Sequence, residues 1–115
     1  MDSTWTVGAL GALAHEKRLA AYRLLVASGP EGRAAGAIAE ALSIPAATLS
    51  FHLAQLSQAG LVKSRQDGRF IYYSADFDAM NRLIGFLTEN CCGGNPCGPA
   101  VVVCAPPQRK AKARP

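Results

Sequence analysis

The sequence predicts a mainly α-helical domain that carries one small β-hairpin. Several segments place apolar residues at steps of three and four, which is the spacing of one face of a helix. A single pair of β-prone runs flanks Asp67-Gly68, a dipeptide that favours a tight type I′ hairpin turn. The chain has 115 residues, of which half are apolar and 17% are charged, so it suits one domain with a buried core.

Two helices are predicted before the Gly29-Pro30 break. The first, STWTVGALGALA, follows Ser/Thr caps and is weakened by glycine, so we expect it to need a partner surface. Its apolar residues are Trp5, Val7, Leu10 and Leu13. The second helix, EKRLAAYRLLVASG, opens near His15 and ends at Gly29. Its apolar face consists of Leu19, Tyr22, Leu25 and Val26.

Two further helices are separated by only a short turn. AAGAIAEALS has Ile38 and Leu42 four residues apart, and Pro45 is suited to the start of the next helix. That helix, AATLSFHLAQLSQAG, ends at Gly60. Its buried side is predicted to hold Leu49, Leu53 and Leu56. Two helices joined in this way form a helix-turn-helix unit.

The hairpin LVKSRQDGRFIYYS and a final apolar helix complete the order. The final helix, DFDAMNRLIGFLTEN, is capped by Asp76 or Ser74 and is predicted to run directly into Cys91. Its apolar face consists of Phe77, Met80, Ile84 and Leu87. The complete order is typical of a winged helix-turn-helix domain, which binds DNA. We place that domain at residues 1–90 and a cysteine-containing segment with a basic tail at residues 91–115.

The outward face of the helix after Pro45 predicts a DNA-reading surface. Phe51 points away from the leucines among small and polar neighbours, and no acid lies between Ser43 and Asp67. Small residues permit close approach, hydroxyls and amides offer hydrogen bonds, and a phenylalanine can touch a thymine methyl group. The alternative is an isolated exposed aromatic residue, or a patch covered by another subunit. The predicted contact residues are Ala47, Thr48, Ser50, Phe51, His52 and Gln55.

The hairpin and His52 extend this prediction. Lys63, Arg65 and Arg69 cluster near the turn, so we expect a wing that tracks phosphates or enters the minor groove. An ordinary solvated hairpin is the alternative, and the order of the elements favours the wing. His52 is predicted at the edge of the exposed face, where it either bonds a phosphate or base or packs between helix and wing.

The net charge of +4 resides in the tail QRKAKARP. Without its four basic residues, the other eight bases of the chain balance the eight acids. We expect a disordered arm that helps to hold an anionic polymer or only aids solubility. No apolar run approaches the length of a membrane span, and MDSTWTV lacks the order of a signal peptide, so we expect a cytoplasmic protein.

LAHEKRLAAYRLLV and IAEALSIPAATLSFHLAQLSQAGLVKSRQDGRFIYY, with the helix after them, resemble the ArsR/SmtB family of metal-responsive bacterial repressors. The resemblance covers roughly residues 5 to 90. It implies a homodimer built through the first and last helices, which sits on palindromic operator DNA and releases it on binding an inducer. The ending ENCC-x4-C looks like the arsenite-sensing branch with ligands beyond the last helix. The chain departs from other branches, because GRAAGAIAE has no cysteine and the last helix has no histidine.

Cys91, Cys92 and Cys97 form the candidate metalloid site. Thiols stay reduced in the cytoplasm, and soft thiolates select soft ions. Arsenite prefers three sulfurs in a shallow pyramid. We expect Gly93-Gly94 to end the helix and Asn95-Pro96 to turn the chain so that Cys97 returns. The expected inducer is As(III), with Sb(III) or a trivalent organoarsenical as variants, and DNA binding is expected to need no cofactor.

Other uses of the thiols stay open. A redox switch would join Cys97 to Cys91 or Cys92 in a disulfide, and Cys104 as a fourth ligand would favour Zn or Cd. An enzyme is not expected, because Cys104 to Arg109 is one residue short of a phosphate-cradling Cys-x5-Arg loop. The chain also lacks HExxH, GxSxG and a dinucleotide glycine motif. A metal-buffering protein would leave the helix-turn-helix and wing unexplained.

Overall fold

The structure, a computed structural model, describes residues 3–90 and Gly93. Within that part of the chain it contains five helices and three short strands. They are α1 (Ser3–Leu13), α2 (Glu16–Ser28), β1 (Arg33–Ala34), α3 (Ala35–Leu42), α4 (Ala46–Gln58), β2 (Val62–Asp67), β3 (Phe70–Ala75) and α5 (Phe77–Leu87). The prediction of a mainly α-helical winged helix-turn-helix is confirmed, with one strand more than expected.

The first two helices match their predicted apolar faces only in part. In α1 the buried residues are Thr6 and Ala9, whereas Val7 is 67% exposed. In α2 Leu19 is exposed, and the buried residues are Ala21, Tyr22 and Leu25. His15 caps α2 as predicted, because its ring nitrogen accepts a 3.1 Å hydrogen bond from the backbone of Lys17. In α1 small residues thus pack against the core and Val7 stays outside, whereas α2 buries Tyr22 and Leu25 as predicted.

The helix-turn-helix forms where it was predicted. The axes of α3 and α4 are bent by 111° at the break between them, within the range of this motif. Ser43 makes the turn in the left-handed region, with φ 54°, and Ile44 N donates to Ala39 O over 3.0 Å. Pro45 then caps α4, where its missing N–H costs nothing.

The sheet contains a strand, β1, that the sequence analysis did not predict. Arg33–Ala34 pairs antiparallel with Tyr72 and Tyr73, so the strand order is β1-β3-β2. Gly32 permits this pairing, because its φ is +73° and a Cβ there would collide with the carbonyl oxygen of Tyr73. The segment before α3 is therefore tied to the wing rather than loose.

The hairpin turn lies one residue later than predicted. Asp67 pairs with Phe70, which leaves Gly68 and Arg69 as the two central residues. Gly68 has φ +65°, and Arg69 is not among the residues with positive φ. A type I′ turn needs positive φ at both central positions, so a glycine-first type II′ turn fits instead. The register places Arg69 at the tip.

The core lies where α2, α3, α4 and the base of the hairpin meet. Its most completely buried large side chains are Leu25, Ile38, Leu49, Leu53, Leu56 and Leu61. Three of these leucines belong to α4 and occupy one side of it, as predicted, so the opposite side of α4 must face outward. Among the described residues no single helix has the length and apolar character to span a membrane, although α3 and α4 taken together pass that test as a bent pair.

The last helix begins as predicted but ends early. Asp76 Oδ1 accepts a 3.0 Å hydrogen bond from Ala79 N, which confirms the cap. The helix ends at Leu87, where Thr88 Oγ1 donates to Ile84 O over 2.8 Å, and Asn90 turns left-handed with φ 60°. The prediction that α5 runs into a cysteine and ends at the following glycines is therefore wrong. The four cysteines lie outside the described residues.

Tyr22 carries a hydroxyl that the core does not satisfy. Its Oη is buried and finds no hydrogen-bond partner among the described residues, and burial together with the negative charge of Asp76 raises the pKa of Tyr22 to about 12. We expect Tyr22→Phe to raise the free energy of unfolding by about 1 kcal/mol, because it removes a polar group that lost its water. Urea unfolding measures this, with Tyr72→Phe as the less buried control that should change little. A loss of stability specific to Tyr22→Phe would show that the hydroxyl is satisfied.

Candidate nucleic-acid interface

The outward face of α4 is small, polar and uncharged around one aromatic ring. Phe51 is 58% exposed, and Ala47, Thr48 and Ser50 are also exposed. Ala47 and Phe51 lie opposite the buried leucines, and Thr48 and Ser50 flank them on either side. The first turn of α4 contains no acid. Such a surface can approach a groove closely without repelling phosphates.

Gln55 and His52 do not share that exposed face. Gln55 is half-buried and lies on the side of α4 that faces α1. His52 is only 5% exposed, which corrects the expectation that it lies at the edge of the exposed face. His52 is three residues after Leu49 and four before Leu56, so the same helical spacing that identified the leucines places it in the buried stripe. That signal was available in the sequence.

His52 packs beneath α4 against the start of α2, not against the wing. Its Nδ1 lies 3.4 Å from Nη1 of Arg18, and its ring centroid is 4.7 Å from that of His15. Arg18 also donates from Nε to Ala12 O over 2.7 Å. Because a guanidinium only donates, Nδ1 of His52 acts as the acceptor. Burial, and then the charges of His15, Arg18 and Lys17, lower the pKa of His52.

This junction predicts acid sensitivity of the fold. Because the pKa of His52 is lower when folded than when unfolded, the unfolded chain binds more protons, and stability falls as the pH drops below about 6.5. We expect the free energy of unfolding, from urea titrations, to be lower at pH 5.5 than at pH 7.5. His52→Asn should lose most of that difference, and His15→Gln should keep most of it. An unchanged pH dependence in His52→Asn would contradict the assignment.

Of the predicted basic residues of the wing, two lie on β2 and one lies in the hairpin turn. Lys63 and Arg65 are exposed and two residues apart on β2, so they share one face of an edge strand. Arg65 is held there, because Nη1 donates to Glu31 O over 3.0 Å and its guanidinium carbon lies 4.8 Å from the ring centroid of Tyr72. Arg69 occupies the turn. The pair borders a depression of about 250 Å³.

Phe70 is a surface residue that the sequence analysis did not single out. It is 59% exposed beside the turn. Its pairing with Asp67, two positions beyond the pair of Arg65 with Tyr72, puts it on the same face as Arg65. The pairing register places Phe70 beside Arg65, and predicting that register requires the correct position of the turn.

The described residues contain no group of three or more His, Cys, Asp or Glu side chains that could hold a metal ion. The predicted metalloid ligands, Cys91, Cys92 and Cys97, lie outside the described part of the chain. A 3.0 Å hydrogen bond joins Gly93 N to Asn90 O, two residues that flank Cys91 and Cys92 in the sequence. The thiol site therefore stays a prediction from sequence.

Comparison with known proteins places this geometry in context. A helix-turn-helix domain family matches residues 13–65. The nodulation protein NolR of Rhizobium meliloti is 36% identical over 88 residues, which cover 76% of this chain and 70% of that protein. An ArsR-like transcriptional regulator from Rhodococcus sp. RHA1 superposes with a TM-score of 0.66 at 27% identity, covering 74% of this chain and 77% of its own. The homodimeric winged helix-turn-helix domain of Mb0332 from Mycobacterium bovis gives 0.60 at 26% identity, covering 83% and 88%.

Proposed function

Because the chain belongs to the ArsR-like family of winged helix-turn-helix transcriptional regulators, we propose that it is a cytoplasmic repressor that releases operator DNA when trivalent arsenic binds its C-terminal thiols. The DNA-binding part of this proposal rests on the outward face of α4. That face is exposed, free of acids and held by three buried leucines on the opposite side. The arsenic half rests on the residue types and spacing of the cysteines.

In this proposal α4 lies in the major groove. Phe51 touches a base edge, Thr48 and Ser50 offer hydrogen bonds, and Ala47 lets the backbone approach. Lys63, Arg65 and Arg69 contact phosphates. Two contacts already hold the side chain of Arg65 in the free protein, so it loses less conformational entropy on binding. His52 supports α4 from behind instead of touching DNA, since its ring is buried.

A homodimer is part of the proposal. Val7 and Leu10 on α1 and Leu87 on α5 are 67%, 41% and 57% exposed, and α1 and α5 are in contact. A second copy would cover this apolar surface, as expected of a subunit interface. Mb0332 of Mycobacterium bovis is a homodimeric relative in structure. Two copies would place their α4 helices in successive major grooves about one helical turn apart.

The proposed sensor follows α5. The helix α5 ends at Leu87, so Cys91 and Cys92 follow it in the sequence. Binding of arsenic by these two thiols and Cys97 releases protons. The helix before them lies at the proposed interface, so gathering the thiols changes how the subunits meet. A coupling of about 1–3 kcal/mol is typical of such linkage.

A disulfide between Cys97 and Cys91 or Cys92 is the second candidate for the signal, because the same clustering suits oxidation. The deciding experiment selects duplexes from a random pool with the reduced protein, then titrates arsenite and oxidant separately. Selection of a palindrome, with release by arsenite under reductant, supports the proposal. Release of the duplex by oxidant but not by arsenite would show that the signal is formation of a disulfide. If no duplex is enriched and thiol-dependent turnover appears, the repressor assignment is wrong.

A further inference from the structure

A cleft of about 420 Å³ opens between α1 and α4. Its walls include Trp5, Gly8 and Gly11 on α1, Arg18 on α2, and Gln55 and Gln58 on α4. The volume lies within the range of about 300–1,000 Å³ that is usual for small-molecule sites. Because Gln55 and Gln58 belong to α4, an occupant would touch the helix that carries the proposed DNA-reading face.

The cleft has one oriented cation and no acid among its lining residues. Arg18 is half-buried, and its contacts with Ala12 O at 2.7 Å and with Nδ1 of His52 at 3.4 Å hold the guanidinium in place. Those contacts use Nε and Nη1, which leaves further N–H groups for a ligand.

The α1 wall of the cleft is open because its residues are small. A Cβ built on Gly8 or Gly11 meets no atom within 4 Å, so a larger side chain there would fill the space instead of packing on the core. Trp5 provides an aromatic boundary and lies against Gly60, where a Cβ would be 3.5 Å from the indole nitrogen. A cation, two amides and an aromatic surface suit a flat molecule with one anionic group.

We propose that this cleft binds a small organic anion, a carboxylate with a flat apolar body, and that its binding weakens the hold of α4 on DNA. The carboxylate pairs with Arg18, the apolar body lies along Trp5 and the glycines, and the two glutamines bond to the ligand. Because both glutamines belong to α4, an occupant that bonds to them favours one position of α4 against α1, and by linkage DNA weakens ligand binding to the same degree. The effect on DNA rests on the proposed function, whereas ligand binding does not.

The ligand half is tested without DNA, on the full-length protein, with phenylacetate as probe and phenylacetamide as its uncharged match. Trp5 is the only tryptophan of the chain, so its fluorescence reports occupancy directly. We expect saturable binding of phenylacetate with a dissociation constant in the millimolar range or tighter, and binding of phenylacetamide at least about ten times weaker.

Two variants test the charge and the volume of the cleft separately. Arg18→Gln removes the charge, and Gly11→Leu fills the volume while raising helix propensity, so a loss of folding is not expected from the second. Both should lose phenylacetate binding. Gly36→Leu is the matched control, because its Cβ also meets open space but lies on α3, away from the cleft. Thermal melts confirm that each variant is folded.

The outcomes separate the two proposals. Equal binding of acid and amide, retained binding in Gly11→Leu, or no saturable signal at all would overturn the ligand site. Binding with the expected pattern but no duplex binding would leave the cleft standing and remove the repressor function. If both hold, adding phenylacetate should weaken operator binding of the wild type and leave that of Gly11→Leu unchanged. No effect on the wild type would overturn the coupling.

Discussion

Replacing Ala47 by glutamate should lower the affinity for duplex DNA by roughly 100-fold or more and leave the fold at least as stable. Ala47 is exposed in the first turn of α4, which contains no acid. A carboxylate there favours the helix, because it complements the positive end of the helix dipole by about 0.3–1 kcal/mol. The same carboxylate would face phosphates in the complex, and a dimer would carry it twice.

The measurement is fluorescence anisotropy with a selected duplex at fixed salt, paired with urea unfolding. Ala20→Glu is the matched control, since it adds the same charge at an exposed alanine of α2, outside the proposed interface. We expect that control to lose only the small, salt-dependent amount that one unit of net charge explains. Equal losses in both variants would mean that α4 does not face DNA.

The second large effect concerns the inducer. Wild-type protein under reductant should lose operator affinity on adding arsenite by about 5–150-fold, the range that a coupling of 1–3 kcal/mol produces. Cys97→Ser should bind the same duplex with unchanged affinity and show almost none of that arsenite response. A hydroxyl replaces the thiol in similar volume but is a hard ligand, and two thiols alone cannot complete a three-sulfur site.

Cys104→Ser serves as the control for the inducer experiment. Its arsenite response should match that of wild type. A shared loss in both variants would point to a four-thiol site, which favours Zn or Cd over arsenic. An intact response in Cys97→Ser would remove Cys97 from the ligand set, and a response that follows oxidant but not arsenite would assign the signal to a disulfide.

Strong local patterns predicted most of the fold. The leucine stripe of α4, the break at Ser43-Ile44-Pro45 and the cap at Asp76 each depend on nearby residues, and each forms as expected. The short strand at Arg33–Ala34 was missed, because its pairing with β3 depends on residues about 40 positions away and on the space that Gly32 leaves. The predicted position of the hairpin turn was wrong for a similar reason, because the register is set by pairing along the whole hairpin.

The candidate site was predictable to the extent that exposure follows helical spacing. Phe51, Thr48 and Ser50 are exposed as expected, although DNA contact by them remains a prediction. His52 was misplaced, because a polar residue was assumed to face water when its position in the stripe buries it. Its partner Arg18 comes from another helix, so nothing local in the sequence links the two.

The early end of α5 separates the proposed inducer ligands from the packed part of the domain along the sequence. Cys97 lies ten positions after Leu87, and the chain between them spans at most about 33–36 Å when extended. Whatever these thiols recognise is therefore encoded beyond the last helix, where substitutions leave the packed leucines untouched. Under the proposed function, substitutions in this short tail would change which inducer is recognised, while α4 would still determine which operator is bound.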